Sequence, residues 1–136
     1  MSSLTPLAAT LNVALGGAAG AVLRYQVGRM LTNALGAKTV MQFPWATLTV
    51  NIVGSLAMGL LAGWLARNGS EQSEQWRLLL GVGLLGGFTT FSAFSLEMMV
   101  LVERGQIAQS LLYAFVSVMA GLTALYIGLF ITRLGA

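Results

Sequence analysis

The chain has 136 residues, of which 57% are hydrophobic and 8% charged, with a formal net charge of +3 and a mean hydropathy of +0.82. That balance lies outside the range of soluble domains and places the chain in a membrane. Cys, His and Asp are absent and Glu71, Glu74, Glu97 and Glu103 are the only carboxylates, which removes thiol, imidazole and paired-acid chemistry and most transition-metal sites, so the chain is read as a non-enzyme.

A helix needs about 20 apolar residues to cross roughly 30 Å of hydrocarbon. Four stretches have that length: Leu7 to Leu31, Trp45 to Leu65, Leu78 to Leu101 and Ile107 to Ile131. They are apolar on every face, which predicts helices and not the alternating strands of a barrel. Pro6 and Pro44 stand where helices can start. Lys38, the run Arg67 to Glu71, and Glu103-Arg104-Gly105 read as polar connectors. The expected architecture is therefore an all-α integral membrane protein, one four-helix domain over residues 1–136. The N-terminus lacks the positive n-region of a cleaved signal peptide, so the first span is expected to be retained.

Small residues recur every four positions in Gly16 and Gly20 of the first span, in Ser55, Gly59 and Gly63 of the second, and in Gly83 and Gly87 of the third. Such stripes let helix backbones approach closely, either within one chain or between copies. Four short helices leave little room for a hydrated path, so a homodimer is expected. Arg24, late in the first span, either snorkels to the surface or lines a vestibule that draws anions inward, whereas Arg29 reads as an ordinary flank. In the second span, Asn51 carries a carboxamide that must find an interhelical partner or offer its NH2 to an anion.

The third span is the most unusual. Gly86-Gly87-Phe88-Thr89-Thr90-Phe91-Ser92-Ala93-Phe94-Ser95 mixes glycines, hydroxyls and rings in mid-membrane. A break in the helix is expected there, with freed carbonyl oxygens able to coordinate a hard cation. Phe91 and Phe94 share a face, with Ser95 just beyond. Electropositive ring edges can face an anion without the deep trap that a buried Arg would make. Glu97, about one turn from the end of this span, pairs with an Arg, hydrogen-bonds locally or relays protons. In the fourth span Ser110, Tyr113 and Ser117 form a ladder of hydroxyls along one face, with Thr123 beyond.

The basic residues form no stripe, which argues against nucleic acid as a partner. Arg67, Arg77 and Arg133 fall on the side of the termini, and Arg24, Arg29, Lys38 and Arg104 on the other. Three against four gives insertion little instruction, so the chain is expected to insert both ways round; the alternative is a single orientation set by the first helix.

Taken together, Gly16 to Tyr25 with Arg24, Thr47 to Gly54 with Asn51, Gly86 to Ser95 with Glu97, and Tyr113, Ser117 and Gly121 resemble the fluoride channel family known as Fluc or CrcB. Ala46 and Ala93 depart from that pattern, standing where the family often has Gly and Thr. The resemblance implies a dual-topology antiparallel homodimer in the bacterial inner membrane, surrounded by lipid and passively exporting cytoplasmic fluoride through two pores at the interface. It implies that Asn51, Phe91, Phe94, Ser95, Tyr113 and Ser117 line the pore and that Arg24 sits at a vestibule. It also implies that Gly86 and Thr89 give backbone carbonyls to a central Na+ ion. A proton-coupled exporter of the small multidrug type is the alternative, but it requires a carboxylate in the first span, and Leu7 to Leu31 contains none. A non-transporting structural membrane protein would leave Asn51 and both Phe residues replaceable by apolar side chains.

Overall fold

A computed structural model describes residues 4–135 and is helical almost throughout. Helix α1 (Pro6–Leu35) starts where Thr5 accepts the Ala8 N–H at 3.2 Å and Pro6 pre-sets the first turn. It ends at Gly36, whose φ of 85° turns the chain into the short helix α2 (Ala37–Gln42). Phe43 and Pro44 lead into α3 (Trp45–Arg67). A turn over Asn68 to Ser70 then opens the third span. That span comprises α4 (Glu71–Trp76), a wide π-type winding over Arg77–Leu85, α5 (Gly86–Phe88) and α6 (Phe91–Glu103), and α7 (Ile107–Leu134) follows.

The four apolar helical runs, Pro6–Leu35, Trp45–Arg67, Glu71–Glu103 and Ile107–Leu134, are each long enough to cross a membrane. Each is longer than its sequence expectation because polar caps carry the helix beyond the hydrocarbon. The 30-residue α1, for instance, reaches about 45 Å. Lys38 lies in α2, not in an open connector. The π winding carries no sequence signal that marks it; the Gly86 N–H reaches the Gly81 carbonyl across it.

The third span divides the packing. Its first half lies along α1, while α7 packs along α3 and against α6. The small-residue stripes explain these pairs. A Cβ added at Gly16 or Gly20 would fall on the Leu79 or Leu84 carbonyl of the third span, and one at Gly87 on the Gly17 carbonyl. Across the molecule a Cβ at Gly59 would meet the Leu125 carbonyl, and one at Gly63 the Thr132 hydroxyl. The glycines of all three stripes are therefore used for close approach inside the chain. Gly86 and Gly87 remain helical, and the backbone departs from the helix at Thr89 and Thr90, which are both extended.

A small core of Leu48, Leu101 and Tyr113, backed by Phe43, Ile52, Phe94, Met98 and Val116, closes one end of the bundle. Elsewhere the large apolar side chains of α1, α6 and α7 face outward, as expected of surfaces that meet lipid or another membrane helix.

Candidate functional site

The break at Thr89 and Thr90 is held by Asn51. Its Oδ1 accepts the Thr90 N–H at 2.8 Å and its Nδ2 donates to the Thr90 carbonyl at 3.0 Å. One amide thus replaces both backbone bonds that Thr90 loses on leaving the helix. Gly54, one turn on, lets the break approach α3, because a Cβ there would overlap the Thr89 methyl group. Thr90 caps the restarted helix by accepting the Ala93 N–H at 3.2 Å. Four successive carbonyls, Gly86 to Thr89, lose their helical partners at the break: the Thr90 N–H has gone to Asn51, the Ala93 N–H has gone to the Thr90 hydroxyl, and the Phe91 and Ser92 N–H groups stand at the start of the restarted helix. Gly86 and Thr89, the carbonyls expected to face a cation, are the first and last of these four, and the geometry does not separate them from Gly87 and Phe88. Gly86 is itself exposed on the single chain.

Below the break the rings form a line. Phe91 and Phe94 lie 5.7 Å apart, Phe94 and Tyr113 5.0 Å, and Tyr113 meets Phe43 edge-on at 5.4 Å. Phe91 is 77% exposed despite its depth in the span, whereas Tyr113 is completely buried. Beside Phe91, a cavity of about 310 Å³ is lined by Asn51, Gly54, Ser55, Thr89 and Thr90 and opens on the uncovered face.

The hydroxyl ladder separates into three roles. Ser110 donates to the Met98 carbonyl at 3.1 Å and ties α7 to α6. Tyr113 donates to Glu97 at 2.9 Å, and Thr47 donates to the other oxygen of the same carboxylate at 2.7 Å. Ser117 is half-buried, and its hydroxyl oxygen, out of reach of solvent, has no hydrogen-bond partner. Ser95 spends its proton on the Phe91 carbonyl at 2.9 Å. Glu97 thus has a structural answer, a carboxylate clasped between hydroxyls of α3 and α7 instead of an Arg pair.

Thr47 and Phe43 join the site although neither is marked as a site residue by sequence alone. Thr47 precedes Asn51 by one helical turn, and that spacing was the available signal. Phe43 lies in a connector, where nothing in the sequence places it against Tyr113. Arg24 is partly buried and far along α1, and among the described residues the one ion pair is Arg77 with Glu74, so Arg24 keeps an unpaired charge. Arg29 lies over the Tyr25 ring at 6.0 Å. No group of three or more His, Cys, Asp or Glu side chains capable of holding a metal occurs among the described residues, so backbone oxygens are the hard-cation ligands on offer here.

The arrangement can pass or hold a small anion: neutral NH and OH donors and ring edges, lacking a fixed positive charge, lie beside a helix break. Comparison with known proteins adds independent findings. The family described as "CrcB-like protein, Camphor Resistance (CrcB)" matches residues 11–129. The "Fluoride-specific ion channel FluC" of Erythrobacter litoralis is 61% identical over 136 residues, covering all of both chains. The protein of the same name from Novosphingobium aromaticivorans is 58% identical over 127 residues, 93% of this chain and 98% of that one. That of Hyphomonas neptunium is 53% identical over 123 residues, 90% and 94% of the two.

Proposed function

Because the chain belongs to the CrcB-like protein family, we propose that it is a fluoride-specific channel of the bacterial inner membrane that lets cytoplasmic fluoride leave passively. The observation that carries this is the 61% identity with a fluoride channel over the whole length, spanning every residue of the candidate site. The chemistry agrees. Fluoride is small and strongly hydrated, so its water must be replaced by donors at contact distance without creating a trap. Ser117, with an unspent buried hydroxyl, and the remaining Nδ2 hydrogen of Asn51 are such donors. The edges of Phe91 and Phe94 extend the path between them, and Ser95 and the Tyr113–Glu97–Thr47 cluster follow. A membrane potential of about 100 mV, negative inside, contributes roughly 2.3 kcal/mol to the exit of one anion, so no pump is required.

The working unit in this reading is an antiparallel homodimer. Supporting it are an exposed Phe91 at mid-membrane and a helix break whose Gly86 lies on the chain's uncovered face. Lipid cannot satisfy such backbone, and a second copy can. In the same reading the Gly86 and Thr89 carbonyls of both copies hold a Na+ ion at the seam, and Arg24 lines a vestibule. Supporting this is that both carbonyls belong to the run of four, Gly86 to Thr89, released from helical pairing at the break. When bound, the ion would neutralise that cluster of carbonyl dipoles and fix the two breaks together.

The deciding experiment is efflux from liposomes containing purified protein, with fluoride and chloride measured in parallel. Rapid fluoride loss with chloride retained, independent of any proton gradient, is expected. Vesicles tight to fluoride, or flux driven only by an opposing proton gradient, would overturn the proposal.

A further inference from the structure

A crevice of about 260 Å³ runs between α2 and α6 at the end of the molecule opposite the termini, walled in part by Met41, Pro44 and Val100. Its lining includes Glu97 at one level and Arg104 at another. Glu97 is in α6 and Arg104, seven residues on, caps its C-terminal end, hence about 10 Å and two turns along. The volume holds several waters at about 30 Å³ each. Arg104 donates to the Met41 carbonyl at 2.8 Å, which fixes it at the rim against α2. Arg77 with Glu74 is the one ion pair among the described residues, so the Arg104 charge is not neutralised by a carboxylate, even though Glu103 is its neighbour in sequence.

Glu97 creates a need for that charge. Glu97 lines the crevice while its carboxylate accepts from Thr47 and Tyr113, so an anion that leaves the hydroxyl track by this route passes a carboxylate before it reaches water. A cation on the aqueous side of the crevice offsets that repulsion and raises the local anion concentration.

We infer that the α2–α6 crevice is the second mouth of the anion path, and that Arg104, pinned to Met41, is the residue that collects fluoride there. This inference rests on the fluoride-channel reading. The geometry gives Arg104 two separable duties, since its charge acts at a distance while its hydrogen bond holds the rim of α2.

The chain has no native Cys, so Arg104→Cys in liposomes gives a single reporter. At low ionic strength and limiting fluoride, Arg104→Cys is expected to slow efflux by roughly twofold to fivefold, and Arg104→Lys to stay near wild type. A membrane-impermeant methanethiosulfonate carrying a trimethylammonium group should restore the rate, and the sulfonate reagent should lower it further. Raising salt to about 0.5 M should flatten both responses. Lys38→Cys, at the same end but outside the crevice, should show no dependence on reagent charge.

Equal effects of the two reagents, no labelling at Cys, or an equal response at position 38 would each overturn the crevice as a mouth while wild-type efflux leaves the channel reading intact. A wild-type protein that is itself silent to fluoride would remove that reading instead.

Discussion

Two serines about two turns apart on α7 differ in whether the hydroxyl is already spent. Ser110 spends its hydroxyl on the Met98 carbonyl, whereas Ser117 has no partner at all. Ser117→Ala should therefore leave thermal stability within about 0.5 kcal/mol of wild type and slow fluoride efflux by roughly threefold to tenfold. Ser110→Ala should do the reverse, costing about 1 kcal/mol with flux largely kept in the folded fraction. Melting curves and liposome efflux on both variants check this. Phe94→Ile keeps apolar bulk but removes the ring that meets Phe91 and Tyr113. Its efflux should fall on the order of tenfold, equivalent to about 1.4 kcal/mol, without loss of fold. Asn51→Leu should be more severe than a lost pore donor, because it strands the buried Thr90 N–H and carbonyl and costs about 1–3 kcal/mol of stability as well as flux. Native folding of Asn51→Leu with unchanged melting would show that the break does not depend on this amide.

Helices here meet through backbone contact, which makes adjacent glycines unequal. An added Cβ at Gly16 would sit on the Leu79 carbonyl, whereas at Gly17 its nearest neighbour is the Gly83 oxygen at 3.9 Å, an ordinary contact. Gly16→Ala should lower stability by about 1–3 kcal/mol through forced separation of α1 from the third span. Gly17→Ala should be neutral or slightly stabilising, since Ala is the better helix former. Thermal unfolding in detergent distinguishes them. The three small-residue stripes were legible as close-approach surfaces, but α1 pairs with the third span and α3 with α7 only because of how the chain folds back. The break was also legible from Gly86 to Ser95. Its position at Thr89 and Thr90 was not, because it depends on which helix lends Asn51 as a substitute hydrogen-bonding partner.

Across the whole molecule, near-equal basic charge at the two ends bears on assembly. With Arg67, Arg77 and Arg133 facing Arg24, Arg29, Lys38 and Arg104, a C-terminal reporter should be active on both sides of the membrane. Adding two Lys residues to the connector over Asn68 to Ser70 should drive one orientation and abolish flux by the single gene product. Co-expression with a copy biased the other way should restore it. Full flux from a uniformly oriented population would refute the antiparallel dimer.

Composition was sufficient to assign this chain to a membrane, because the free energy of transferring apolar and charged groups depends on residue type, and the order of apolar runs along the chain set its number of spans. The motifs in each span pointed to the same family that the comparisons then established. The partners of the polar groups were another matter. Folding put Glu97 between Thr47 and Tyr113, left Ser117 unpaired, and brought Arg104 to a rim beside Met41. A hydroxyl that tethers two helices and one left without a partner are chemically identical in sequence, and only the distance to a neighbour many residues away distinguishes them.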